Sequence, residues 1–257
     1  MEMCDWAEGI LGAETLEDKL FSPEKLSDEK PRRKVIAEPV RPAGMGFVTF
    51  DSKKDRMPKG PEMVNGDRRA YALHRFCGHE LLAVEIMANA LLSFPNAPKH
   101  LRKCIANTLI EEQGHVRLYM SHLERFGVKF GDLPLFKHFW SHVPHLTCPL
   151  KYLSVMHLTL EMANLDFAPH YHKLFSAVGD TESANLMSQI FEDEISHVAR
   201  GYQWLCKLKP ETTSPFETYE QNLGPFLKPQ NSAAFTFQKN ARERAGLDPE
   251  WISAIAK

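Results

Sequence analysis

The chain has 257 residues, of which 43% are hydrophobic and 25% charged, enough for one large domain or two small ones with a buried core. A formal net charge of −2 gives no bulk attraction to nucleic acid or anionic lipid. Five scattered cysteines without a C-x-x-C pair argue against a disulfide framework or a thiolate zinc site.

Residues 1 to about 66 carry six prolines (Pro23, Pro31, Pro39, Pro42, Pro58, Pro61) and a charged stretch from Asp28 to Lys34. They predict one or two short helices before Pro23, then extended chain lying over a core made elsewhere. Gly46 to Phe50 reads as a short strand without an obvious partner. No run reaches the roughly 18 apolar residues of a spanning helix. The start, Met1-Glu2-Met3-Cys4-Asp5-Trp6, lacks a basic-then-apolar signal, so a cytoplasmic protein is expected.

From about Asp67 to Lys207 the pattern is helical, with predicted helices over 68–93, 98–126, 150–178 and 181–207. Phe94-Pro95-Asn96-Ala97-Pro98 separates the first two, with Pro98 suited to a first helical position. Gly127 closes the second, and Gly179-Asp180 separates the last two. Short connections make each pair an antiparallel hairpin. The link from Gly127 to Pro149 is long and should hold a short helix around Leu135 to His142. Two hairpins joined by one long crossover is the connectivity of a ferritin-like four-helix bundle, an all-α fold. After Pro210 the periodicity weakens. Helical pieces are expected from about Ala233 to Ala245 and from Pro249, the latter capped by Asp248. The reading is thus an arm over 1–66, a bundle over 67–210, and a tail over 211–257 that belongs to the same domain.

Chemistry enters through a repeated pattern, Glu-x-x-His. Glu112-Gln113-Gly114-His115 has Glu80 32 residues upstream, and Glu194-Ile195-Ser196-His197 has Glu161 33 residues upstream. The composition alone supplies about one such match by chance, so context must carry the inference. Glu112 and His115 share a helix face with Leu101, Ile105, Leu109, Val116 and Leu123. Glu194 and His197 share one with Met187, Ile190, Phe191, Val198 and Leu205. A carboxylate on a core face must be paired, protonated or coordinated. Glu80 and Glu112 are equidistant from Asn96 in the first turn, so they meet across the hairpin. Glu161 and Glu194 are centred near the second turn, though turn geometry does not choose between Glu161 and Asp166. The spacing repeats as well, at 81 residues for Glu80 to Glu161 and 82 for both Glu112 to Glu194 and His115 to His197. Six candidate ligands are Glu80, Glu112, His115, Glu161, Glu194 and His197, with Asp166 still open in place of Glu161, and Glu112 and Glu194 are expected to bridge two ions. A salt-bridged polar layer without metal is the structural alternative, and it stabilises poorly.

The segments His79 to Glu85, Glu111 to His115, Leu160 to Asp166 and Phe191 to Val198, with the ending Phe235 to Arg242 then Ala245-Gly246, resemble a bacterial ferritin-like family of unassigned function. The resemblance runs from about Ala70 to the C-terminus and leaves out the first 66 residues. It implies a ferritin-like bundle and favours Glu80 and Glu161 over Glu85 and Asp166 as ligands, without supplying a reaction.

Tyr119, Asp166 and Glu85 are candidates to orient the ligands, as are His79 and His157. The basic cluster Lys99, His100, Arg102 and Lys103 reads as a solvated face. Carboxylate-rich ligation suits two iron ions, manganese, or a mixed pair. The expected function is an oxidoreductase using O2 or peroxide on an unknown small molecule. A metal-binding or storage-related bundle, or an interaction scaffold, is the alternative without turnover. A tRNA-modifying hydroxylase is disfavoured by the balanced charge. No membrane partner is expected, and a homo-oligomer is compatible with this reading.

Overall fold

A computed structural model describes residues 1–256, whose regular secondary structure is helical; among those residues there is no strand beyond two isolated bridges. The chain groups into two compact units, residues 1–143 and 144–257.

The first unit is built on a hairpin of α3 (Gly66–Ser93) and α4 (Lys99–Glu124). Asn65 caps α3 by accepting the Asp67 N–H. Pro98 is the residue before α4 rather than its first helical position, so the expected boundary shifts by one. After α4, Gly127 adopts φ +67, a left-handed conformation that suits glycine and ends the helix. Before the hairpin come α1 (Met3–Gly12) and α2 (Leu16–Leu20), the two short helices expected ahead of Pro23. Trp6, Ala7, Ile10 and Leu11 of α1 are buried, so the arm contributes to the core. The expected strand at 46–50 reduces to one bridge, in which the Val48 N–H donates to the Leu135 carbonyl at 2.9 Å.

α3 has the length and hydropathy of a membrane span, a feature that counting uninterrupted apolar residues passes over. Its most apolar window is 89% buried inside the fold.

The solvated face expected at the start of α4 holds for Lys99, His100 and Lys103 but not for Arg102. Arg102 is 1% exposed, pairs with Asp28 of the arm at 2.8 Å, and donates to the Leu91 and Phe94 carbonyls.

The second unit departs from a plain hairpin. Where one α-helix was expected over 150–178, a short α5 (Pro149–Tyr152) runs into a π-helical stretch, Leu153–Glu161, and then α6 (Met162–Ala177). In the π stretch the Thr159 hydroxyl donates to the Ser154 carbonyl five residues back. π segments are rare and cluster at functional positions; this one ends on Glu161. Gly179, at φ +76, turns the chain into α7 (Thr181–Leu208), which Asp180 caps through the Ser183 N–H.

The tail holds α8 (Pro215–Gln221), unforeseen from periodicity, then α9 (Lys239–Arg244) and α10 (Pro249–Ile255). Asp248 stands at the start of α10 but makes no capping bond; its side chain bonds Tyr202 instead. Burial and these neighbours raise the Tyr202 hydroxyl well above the ordinary tyrosine range. Tyr219, Leu223, Ala241, Leu247, Trp251 and Ile255 join Leu158, Met162, Val198 and Leu205 in one apolar cluster. The tail therefore completes the core of its unit.

Candidate metal centre

In the first unit α3 supplies Glu80 and α4 supplies Glu112 and His115, all between 0% and 5% exposed. Ligand atoms of these three lie within 4.8 Å of one another. The mid-turn register of the hairpin produces this: residues equidistant from the 94–98 turn face each other, and the i, i+3 spacing places the histidine beside its carboxylate. His115 Nδ1 is 3.0 Å from Glu112 Oε2. Two carboxylates and an imidazole, buried and this close, form a cluster that could hold a metal ion. Without one, confining two carboxylates beside a single imidazole costs several kcal/mol.

The second unit has the matching set, with Glu161 4%, Glu194 1% and His197 0% exposed. Ligand atoms of Glu161 and His197 lie within 4.8 Å of each other, and His197 Nδ1 is 3.5 Å from Glu194 Oε2. Asn164, one turn into α6, donates to Glu194 Oε1 at 2.9 Å. Glu161 Oε2 pairs with His157 Nδ1, and His157 Nε2 is 3.2 Å from the Tyr152 hydroxyl. Glu161 Oε1 is buried without a hydrogen-bond partner, an arrangement that a cation would compensate.

The proposed orienting residues fall out differently. Asp166 is fully buried and receives four donors: the Arg242 guanidinium on both oxygens at 2.9 Å, the Ala234 N–H at 2.9 Å and the Gln238 N–H at 2.7 Å. Glu85, also fully buried, pairs with Lys19 at 2.9 Å and Arg41 at 2.5 Å. Burial pushes the Lys19 ammonium below its ordinary range, against the opposing pull of Glu85. The two carboxylates thus anchor the tail and the arm. His79 packs against the rings of His138 and Phe139. Tyr119 is buried, its ring stacked on Phe76 at 6.0 Å.

Sequence reasoning passed over Tyr152, Asn164 and Gly201. Gly201 has a legible signal, since it stands one turn after His197 on the same face; the other two depend on the π stretch. A Cβ at Gly201 would lie 2.3 Å from His157 Cβ, so α7 approaches the π stretch as closely as only glycine allows.

No curated protein and no solved structure matches the chain. A family model described as "Protein of unknown function (DUF455)" matches residues 7–253. That match reaches back through most of the arm, which the resemblance from about Ala70 onward had left out. Covering nearly the whole chain, it shows that the protein belongs to this uncharacterised family.

Proposed function

We propose that the chain is a di-metal carboxylate protein with a ferritin-like four-helix bundle, in which the two hairpins together hold a pair of iron or manganese ions. The carrying observation is the buried cluster of Glu80, Glu112 and His115, matched by Glu161, Glu194 and His197 at the repeat distance. One Glu from each of two helices and a Glu-x-x-His from each of two others is the ligand set such bundles use. Three protein ligands per hairpin leave coordination positions that iron and manganese would fill with further oxygen donors. The engagement of all four Asp166 acceptor positions supports Glu161 as the upstream ligand.

Bound there, such a pair supplies two-electron chemistry toward O2 or peroxide, which makes an oxidoreductase acting on a small organic molecule the best-supported activity. The chain's own residues would hold the ions in a dry site and fix the carboxylates that shift as the charge changes.

Elemental analysis of protein from iron- and manganese-supplemented cells should find about two metals per chain, reduced to background or near it in Glu112→Ala. No metal above background in the wild type refutes the reading. Anaerobically loaded protein mixed with O2 then separates the oxidoreductase from a storage bundle or scaffold: the former consumes O2 and gains near-UV absorption, the latter does neither.

A further inference from the structure

The internal repeat that aligns the two half-sites breaks at one matched pair of positions. One turn before each upstream carboxylate stands Phe76 in the first unit and His157 in the second. One turn after each histidine stands Tyr119 in the first and Gly201 in the second. In the first unit these positions hold two large rings, stacked 26° from parallel. In the second, an imidazole faces a residue without a side chain, and the space Tyr119 fills in one repeat is taken by the close approach of Gly201 to His157 in the other.

The consequence lies in what each carboxylate can do. A phenyl ring offers Glu80 no hydrogen bond from position 76. At the corresponding place His157 Nδ1 meets Glu161 Oε2. A carboxylate only accepts, so Nδ1 carries the proton and donates it, while Nε2 lies 3.2 Å from the Tyr152 hydroxyl. Tyr152 is 0% and His157 3% exposed, so water does not compete for these bonds. Oε2 of Glu161 is thereby committed while Oε1 stays buried without a hydrogen-bond partner.

We propose that His157 is a positioning residue that presets Glu161 to offer Oε1 to its ion in the second half-site. This rests on the two-metal reading above. Orienting partners of ligands typically contribute 10–100-fold in metal affinity.

The test titrates metal-free, full-length protein with Mn(II), following the free aqua ion by electron paramagnetic resonance. The wild type should bind two ions. His157→Phe should weaken one of them by about 10–100-fold and leave the other unchanged. His157→Gln, whose amide N–H can replace the donor, should stay within a few-fold of wild type. Melting of the metal-free variants controls for folding: a positioning role leaves it close to wild type, a structural role lowers it along with both affinities. A wild type that binds no Mn(II) sinks the two-metal reading itself. Two bound ions whose affinities are both unmoved by His157→Phe, or weakened together with the melting point, overturn the positioning role alone.

Discussion

The contact between α7 and the π stretch can be probed by adding one methyl group. Gly201→Ala places a Cβ 2.3 Å from His157 Cβ and 3.0 Å from its Cγ. Carbon atoms prefer roughly 3.5–4.0 Å, so the two segments must part by more than about 1 Å. Neither neighbouring atom is the end of a flexible chain. Overpacking of this kind costs about 1–3 kcal/mol, and weakening the His157–Glu161 bond adds about 1.5–3 kcal/mol at most. Against this, replacing a mid-helix glycine by alanine gains about 0.5–1 kcal/mol. At the middle of each range the net is a loss of roughly 1–4 kcal/mol, or a fall in Tm of about 2–4 °C per kcal/mol for a chain of this size. Gly114 is the internal control, because it too lies inside a long helix, between Glu112 and His115, yet a Cβ there meets nothing within 4 Å. Gly114→Ala should therefore raise stability by up to about 1 kcal/mol. Urea or thermal unfolding of the metal-free proteins measures both. If Gly201→Ala proves as stable as wild type, or gains as Gly114→Ala does, the close approach and everything argued from it is wrong.

Two further outcomes follow from buried charges. Asp166→Asn leaves the Arg242 guanidinium buried with its ion pair broken, and losses of about 3–5 kcal/mol are usual for this. The second unit should unfold at markedly lower urea, and an unfolding midpoint equal to that of the wild type would remove Asp166 as the anchor of the tail. His74 is fully buried, accepts the Gly131 N–H on Nε2 at 3.0 Å, and is held by burial at a pKa of about 4. Unfolded histidine titrates near 6.5, so between about pH 6.5 and 4 the unfolded chain binds a proton that the folded chain does not. Stability should fall as pH drops through that window, by up to about 1.4 kcal/mol per pH unit from this group. Urea unfolding of metal-free wild type and His74→Gln at pH 7, 5.5 and 4.5 should show the extra slope only in the wild type; equal slopes would remove His74 from the account.

Much of the helical frame was legible because its signals are local. Gly127 and Gly179 end helices at the positions their lack of a side chain suggests, and both take positive φ. The meeting of Glu80 with Glu112 was legible for a related reason, since a short turn fixes which residues of a hairpin face each other. The π stretch was not. Leu153-Ser154-Val155-Met156-His157-Leu158-Thr159-Leu160 reads as an ordinary apolar helix, and the extra residue per turn is set by packing rather than propensity. The roles of Glu85 and Asp166 were hidden for another reason. Their partners lie far along the chain, 44 residues away for Arg41 and 76 for Arg242, and no local pattern announces a pairing at that distance. Glu85 and Asp166 stand 81 residues apart, at the repeat that also relates Glu80 to Glu161. It marked a real correspondence but of a different kind.

That correspondence bears on what counts as the functional unit. Five residues after Glu80 and after Glu161, the repeat places a buried carboxylate that ties down another segment: Glu85 holds the arm through Lys19 and Arg41, and Asp166 holds the tail through Arg242. The arm grips the ligand turn of α4 as well. Gln113, between Glu112 and His115, donates to the Lys19 and Phe21 carbonyls, and Arg117 donates to the Leu20 carbonyl. A buried ion pair contributes little net stability against an apolar substitute, but it is costly to break and specifies one arrangement. Using such pairs to seat the arm and the tail on the segments that carry Glu80 and Glu161 fixes where those segments can move. The family match, which begins in α1 and ends in α10, coincides with these anchored segments and not with the hairpins alone. The arm and the tail are on this account part of what holds the carboxylates in place, and a chain stripped to its four long helices would lose the groups that fix Glu112, His115 and Glu161 in register.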